Sequence, residues 1–150
     1  MRYATRHRKG GEKDESSMTK WDESMIEALQ ELQEEIHNTA CQKGWWDDHE
    51  WLLTKLRNSR DATGAVDELY ISTKIMLVVT ELSEAMEAIR TGNPPDDKLP
   101  QFDGITVELA DAMIRILDLS ARFKMPVAEA MLAKMAYNEG RDYRHGGKKL

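Results

Sequence analysis

The sequence predicts an all-α protein with four main amphipathic helices in a four-helix-bundle-like arrangement. Three observations predict it. Apolar residues recur at three- and four-residue spacing along most of the chain. Ala, Leu, Glu, Met and Lys, which favour helix, are common and aromatics are sparse. No convincing strand pattern is present.

At 150 residues the chain is expected to form one domain, large enough to bury a core. Residues 1–18 (MRYATRHRKGGEKDESSM) are polar, basic first and then acidic, with no apolar period. They read as a disordered arm, either a solvated tail or a binder of an anionic partner. The domain proper is expected over 19–150.

Thr19 followed by Asp22 resembles a helix start. Met25, Leu29, Leu32 and Ile36, continued by Ala40, then make one stripe, with Glu27, Gln30, Glu31, Glu34 and Glu35 on the other faces. This first helix should end near Gly44. Residues 44–64 predict a loop containing one short helix within 49–57. Trp45, Trp46 and Trp51 crowd its start, and Asn58–Gly64 is expected as a polar turn.

A long helix should run from about Ala65 to Arg90. Ile75, Val78, Val79, Leu82, Ala85, Met86 and Ile89 form a broad apolar arc, expected to be core. Thr80, Ser83, Glu87 and Arg90 form the expected solvent stripe. Glu81 and Glu84 lie off that stripe. At about 100° per residue they share a face with Leu77, Ala85 and Ala88. Gly92 and three prolines mark 91–101 (TGNPPDDKLPQ) as a helix stop and surface loop.

A third helix, 103–123, is apolar nearly all round. Glu108, Asp111, Arg115, Asp118 and Arg122 form its polar stripe, either a metal-site face or the only solvent stripe of a buried helix. Pro126 opens the fourth helix, with Val127, Ala130, Met131 and Met135 inward, fading near Gly140. The tail from Arg141 (RDYRHGGKKL) is basic and flexible in character, a lid over phosphates or a frayed terminus. No repeat of about 20–50 residues is visible.

Several function classes are disfavoured. The net charge of −6 argues against a nucleic-acid-binding module. No run of about 18 apolar residues predicts a membrane span, and the N-terminus lacks the apolar core of a secretory signal. The single cysteine, Cys41, cannot form an internal disulfide or a Cys-based zinc site. It suits a reducing cytoplasm and reads as a packing residue. No P-loop, dinucleotide-binding glycine motif or His-Glu-x-x-His is present.

Two carboxylate pairs remain, Glu81/Glu84 and Glu108/Asp111, each three residues apart and so on one helix face. Packed side by side they would gather four like charges, costly without a cation. Neither pair has the histidine of the di-iron bundles, so oxygen-loving Mg²⁺, or Mn²⁺ in its place, is the expected metal. Lys134, Asn138 and Arg141 share a face of the fourth helix. They are either anion donors beside the acid cluster or a surface stripe.

Together, ELSEAMEAIR, ELADAMIRILD and KMAYNEGRDYRHGGK resemble the MazG-like all-α nucleoside triphosphate pyrophosphohydrolases, closest to short single-domain bacterial and phage members. Ile36–Asn38 and Lys43–Asp47 resemble theirs too. The resemblance covers roughly 20–150, except much of 47–70. It implies a four-helix MazG-type fold, a homodimer or homotetramer, and Mg²⁺-dependent hydrolysis of the α–β phosphoanhydride to a nucleoside monophosphate and pyrophosphate. The family's acids fall on Glu81, Glu84, Glu108 and Asp111, as metal ligands and catalytic groups. Its lysine and asparagine fall on Lys134 and Asn138, followed by Arg141 and Tyr143. In one departure, Thr80 stands where many relatives have an acid.

On this reading Lys134, Asn138, Arg141, Tyr143 and Lys148 bind phosphates. His37 and Asn38 bond the base edge. Trp45 and Trp46 either stack on the base or pin the loop to the core or the dimer partner. The expected setting is the cytoplasm, without nucleic-acid or membrane partners. Hydrolysis of an alarmone or phosphoribosyl-ATP, or a noncatalytic helical interaction module, are the alternatives.

Overall fold

The computed structural model describes residues 23–58 and 60–141, and over that range the protein is all-helical. The elements are α1 (Glu23–Gln42), α2 (Asp47–Leu56), α3 (Arg60–Arg90), α4 (Gly104–Arg122) and α5 (Val127–Glu139). An isolated bridge between Pro95 and Asp103 closes the α3–α4 loop. The N-terminal arm, the Thr19–Asp22 start signal, and Tyr143 and Lys148 of the tail lie outside the described residues. No helix among the described residues is long and apolar enough to cross a membrane.

The helix ends follow local chemistry. Gly44 takes φ +77° after α1, letting the Trp45 N–H reach the Ala40 carbonyl at 3.1 Å. Gly92, at φ +86°, does the same after α3, where Asn93 bonds Ala88. The Asp103 carboxylate accepts the Thr106 N–H at 2.9 Å and opens α4.

One boundary differs from expectation. α3 begins at Arg60, so most of the Asn58–Gly64 stretch is helix rather than turn. That stretch contains no proline, and Ala62 and Ala65 favour helix. Gly64 has open space around its Cα, so its cost there is the propensity penalty alone, about 1 kcal/mol.

α3 and α4 pack most extensively and run antiparallel. Successive rungs show the register. A methyl group on Gly104 would meet Ala88 Cβ at 3.1 Å, Arg115 reaches Glu81, and Lys74 approaches Asp118. α1 lies along α4, α2 packs on α3, and α5 returns against α1, where Gln30 donates to Glu129 at 2.8 Å.

The inward faces match the apolar arcs that the sequence predicts as core only in part, on α3 at Ala85 and Val78. On α3 the buried positions are Glu81 and Ala85, with Lys74, Leu77 and Ala88 half-buried; Ile75, Val79, Leu82, Met86 and Ile89 are exposed. On α4 the polar stripe faces inward. Asp118 is buried and Glu108 and Arg115 are half-buried, whereas Leu109, Met113 and Ile116 are exposed, Met113 to 62%. The stripe is therefore not simply the solvent side, although Asp111 within it is exposed. Glu81, Leu77, Ala85 and Ala88 do share the inward face that helical arithmetic assigns them, whereas Glu84, expected with them, is exposed.

The apolar core sits at the far end, where Ala40, Trp46 and Leu119 are buried against Tyr70, Ile71 and Phe123. A polar cluster holds it. Buried Asp118 accepts the Trp46 indole N–H at 2.8 Å and meets His37 Nδ1 at 2.7 Å, with Lys74 Nζ 3.8 Å from its other oxygen. Buried His49 bridges Arg122 and Asp67, at 3.1 and 2.9 Å. A guanidinium only donates, so Nδ1 accepts and Nε2 carries the proton given to Asp67. Arg122 also pairs with Glu50.

Candidate metal centre

The antiparallel register of α3 and α4 brings the two carboxylate pairs to one cavity of about 460 Å³. Glu81, Glu84, Glu108 and Asp111 line it, joined by Asp96, Lys98 and Leu99 of the α3–α4 loop and by Arg115. Glu81, Glu108 and Asp111 each present an oxygen, all within 4.8 Å of one another. Glu84 is exposed on the cavity wall and stands outside that group of three.

Local structure explains each position. Glu81 occupies the inward stripe of α3 and is only 5% exposed. An unpaired buried carboxylate would be costly. Arg115, two turns inward from Glu108 on α4, compensates it: Nε and Nη2 both lie 2.6 Å from Glu81 Oε1. Among the described residues, Glu108 has no such cation. Burial first, then the Glu84, Glu81 and Asp111 carboxylates, raise its pKa above the usual glutamate value.

The fit to a cation follows from this donor set. Three carboxylate oxygens without imidazole or thiolate suit Mg²⁺ or Mn²⁺. A group that holds its proton because of neighbouring negative charge releases it to a divalent ion. The sign can be followed directly. Glu108 binds its proton more tightly folded than unfolded, so its contribution to stability is present at low pH and is lost as pH rises through the raised value. Above that value the charged Glu108 adds to the repulsion with Glu84, Glu81 and Asp111, which a bound divalent cation would relieve. Thermal melts should show a clearly larger Mn²⁺-induced rise in Tm at pH 7.5 than at pH 5. An equal rise at both would count against Glu108 as a ligand.

The other expected site residues fall elsewhere. Lys134 and Asn138 are exposed on α5, whereas Arg141 lies past the end of that helix, and none of the three lines the acidic cavity. Lys134 and Arg141 instead sit over the Tyr137 ring, at 4.8 and 5.7 Å, and Arg141 donates to Asn138 at 3.4 Å. His37 and Asn38 line a second cavity of about 540 Å³ between α1 and the α4–α5 turn, with Gln33, Lys124 and Glu129. The two cavities share no residue.

Trp46 corrects the stacking expectation. It is 2% exposed, its N–H is given to Asp118, and the Lys74 ammonium sits 4.0 Å over its ring, leaving no face for a base. It is the tryptophan that pins the loop to the core. Trp45 is 54% exposed and keeps an open surface. Cys41, expected as packing, is exposed, with Sγ 3.6 Å from His37 Nε2.

Sequence reasoning singled out no role for Lys98, Asp96 or Lys74. Lys74 did carry a signal: it is seven residues before Glu81, two turns along the same stripe. No family model, curated protein or solved structure matches the chain.

Proposed function

We propose that the protein is a Mg²⁺-dependent nucleoside triphosphate pyrophosphohydrolase of MazG-like type, producing a nucleoside monophosphate and pyrophosphate. One observation carries the reading: two helix-borne carboxylate pairs, distant in sequence, converge on one cavity, with three of their oxygens within 4.8 Å. The motif resemblance supplies the reaction, and the cavity chemistry supports it.

Glu81, Glu108 and Asp111 would hold the Mg²⁺, which supplies phosphate charge neutralisation and a bound water of lowered pKa. The chain's own groups divide the remaining work. Glu81 is fixed by Arg115 and keeps its second oxygen for the cavity. Glu84 lines the cavity without belonging to the cluster of three, so it is placed to take the proton from the attacking water. Water adds at the α-phosphorus, the bridging P–O bond breaks, and pyrophosphate leaves. Buried Glu81 and half-buried Glu108 support this reading, because charges there are less screened by water than on open surface.

The test is an activity panel across the ribo- and deoxynucleoside triphosphates, with phosphoribosyl-ATP and guanosine tetraphosphate included and products resolved. Monophosphate plus pyrophosphate from one or more triphosphates is the expected result. Diphosphate plus phosphate, or no turnover with Mg²⁺ and Mn²⁺, would overturn it.

A second observation favours assembly. Large apolar side chains are exposed along α3 and α4, among them Met76, Met86, Leu109 and Met113. Apolar faces of this kind mark interaction surfaces, and we propose a homodimer or homotetramer as their occupant. Light scattering should give a multiple of 17.2 kDa for the native chain and a lower mass for Met86→Glu/Met113→Glu. A monomeric native chain would remove this part of the reading.

A further inference from the structure

The acidic cavity contains a cation that the proposed reaction has not used. Lys98 lines it together with five carboxylates, yet its ammonium forms no ion pair with any described residue. The backbone at Lys98 is held by the turn. The Asp96 carboxylate accepts both the Lys98 N–H, at 2.9 Å, and the Leu99 N–H, at 2.7 Å. Asp96 N–H donates to the Phe102 carbonyl at 2.9 Å, Gly104 N–H to Pro94 at 3.0 Å, and the Pro95–Asp103 bridge closes the loop. The turn thus sets where Lys98 stands on the cavity rim.

Charge decides what it is for. Of the two cations lining the cavity, Arg115 is committed to Glu81. The remaining carboxylates attract metal, and metal in turn attracts a polyphosphate whose charge exceeds what the metal cancels. Lys134 and Arg141 do not line this cavity. Among the described residues that line this cavity, Lys98 is therefore the cation left for the outer phosphates.

We propose that Lys98 is a phosphate-binding residue of this site, receiving the non-bridging oxygens of the departing pyrophosphate end, with Arg115 as the inner wall. This rests on the metal–nucleotide reading above. It places substrate capture on the α3–α4 loop.

The experiment compares the full chain with Lys98→Ala and Lys98→Arg. Mn²⁺ affinity is measured without nucleotide, binding of inorganic pyrophosphate with Mg²⁺ by calorimetry, and KM and kcat on the best triphosphate. Expected for Lys98→Ala is unchanged or tighter Mn²⁺ binding, with pyrophosphate affinity weakened and KM raised about tenfold, and a smaller change in kcat. Lys98→Arg should recover most of the loss. Native pyrophosphate affinity and KM in Lys98→Ala would overturn the proposal while the metal–nucleotide reading stands. A native chain that binds no Mn²⁺ and turns over no triphosphate would overturn that reading, and this proposal with it.

Discussion

Glu81→Gln should lower kcat on the best triphosphate by about 10³-fold or more, a barrier increase of about 4 kcal/mol. The substitution keeps the side chain's shape and an oxygen for Arg115, so it isolates charge from packing. What it removes is the buried anion of the three-carboxylate group, only 5% exposed and therefore little screened by water. It also leaves Arg115 without its counter-charge. Asp111→Asn should behave similarly in kcat without disturbing Arg115. The pair separates a metal-ligand effect from an ion-pair effect, and Mn²⁺ affinity should fall in both. Near-native turnover by either variant would refute the site assignment.

Asp118→Ala should destabilise the fold by about 3–5 kcal/mol, seen as a fall in the urea midpoint with little change in slope. Three groups depend on that one carboxylate: the Trp46 indole, His37 and Lys74. Burial lowers the Lys74 pKa, and the Asp118 charge opposes that effect. Removing the aspartate leaves an ammonium whose side chain is only 14% exposed without compensation. The desolvation cost of the pair is already met in folding, so loss of one partner outweighs any gain from burying one charge fewer. Asp118→Asn, which can still accept the indole N–H, should cost less. Equal midpoints for Asp118→Ala and the native chain would show that the cluster contributes nothing to stability.

Much of this architecture was legible in the chain, and the part that was not has a physical cause. Gly44, Gly92 and Pro126 mark real helix ends, because backbone conformation there is a local property. Glu81 was placed inward by spacing against Leu77 and Ala85, which also depends on one helix alone. The apolar arcs misled because periodicity reports which face is apolar and not what covers it. On α3 and α4 the chain's own contacts are made by the narrower stripe of Ala85, Ala88, Glu81, Ala112 and Arg115, leaving Met86 and Met113 outward. Trp46 and Trp45 are adjacent and chemically identical, so only the packing of Asp118 against α1 could separate the buried one from the exposed one. Lys98 carried no periodic signal, because its position is set by the turn that Asp96 builds.

The inward polar stripe of α4 has a consequence for how substitutions will be tolerated. In an ordinary amphipathic helix the charged positions are the permissive ones and the large apolar positions are constrained. Here each charged residue of the stripe has an assigned partner or a place in the cavity: Glu108 and Asp111 with Glu81, Arg115 with Glu81, Asp118 with Trp46, and Arg122 with His49. Even a swap of Arg115 for Lys loses the two-nitrogen grip on one oxygen. The exposed methionines and leucines, such as Met113 and Leu109, have no such polar partner to lose. Along this helix, polarity marks the positions least free to vary.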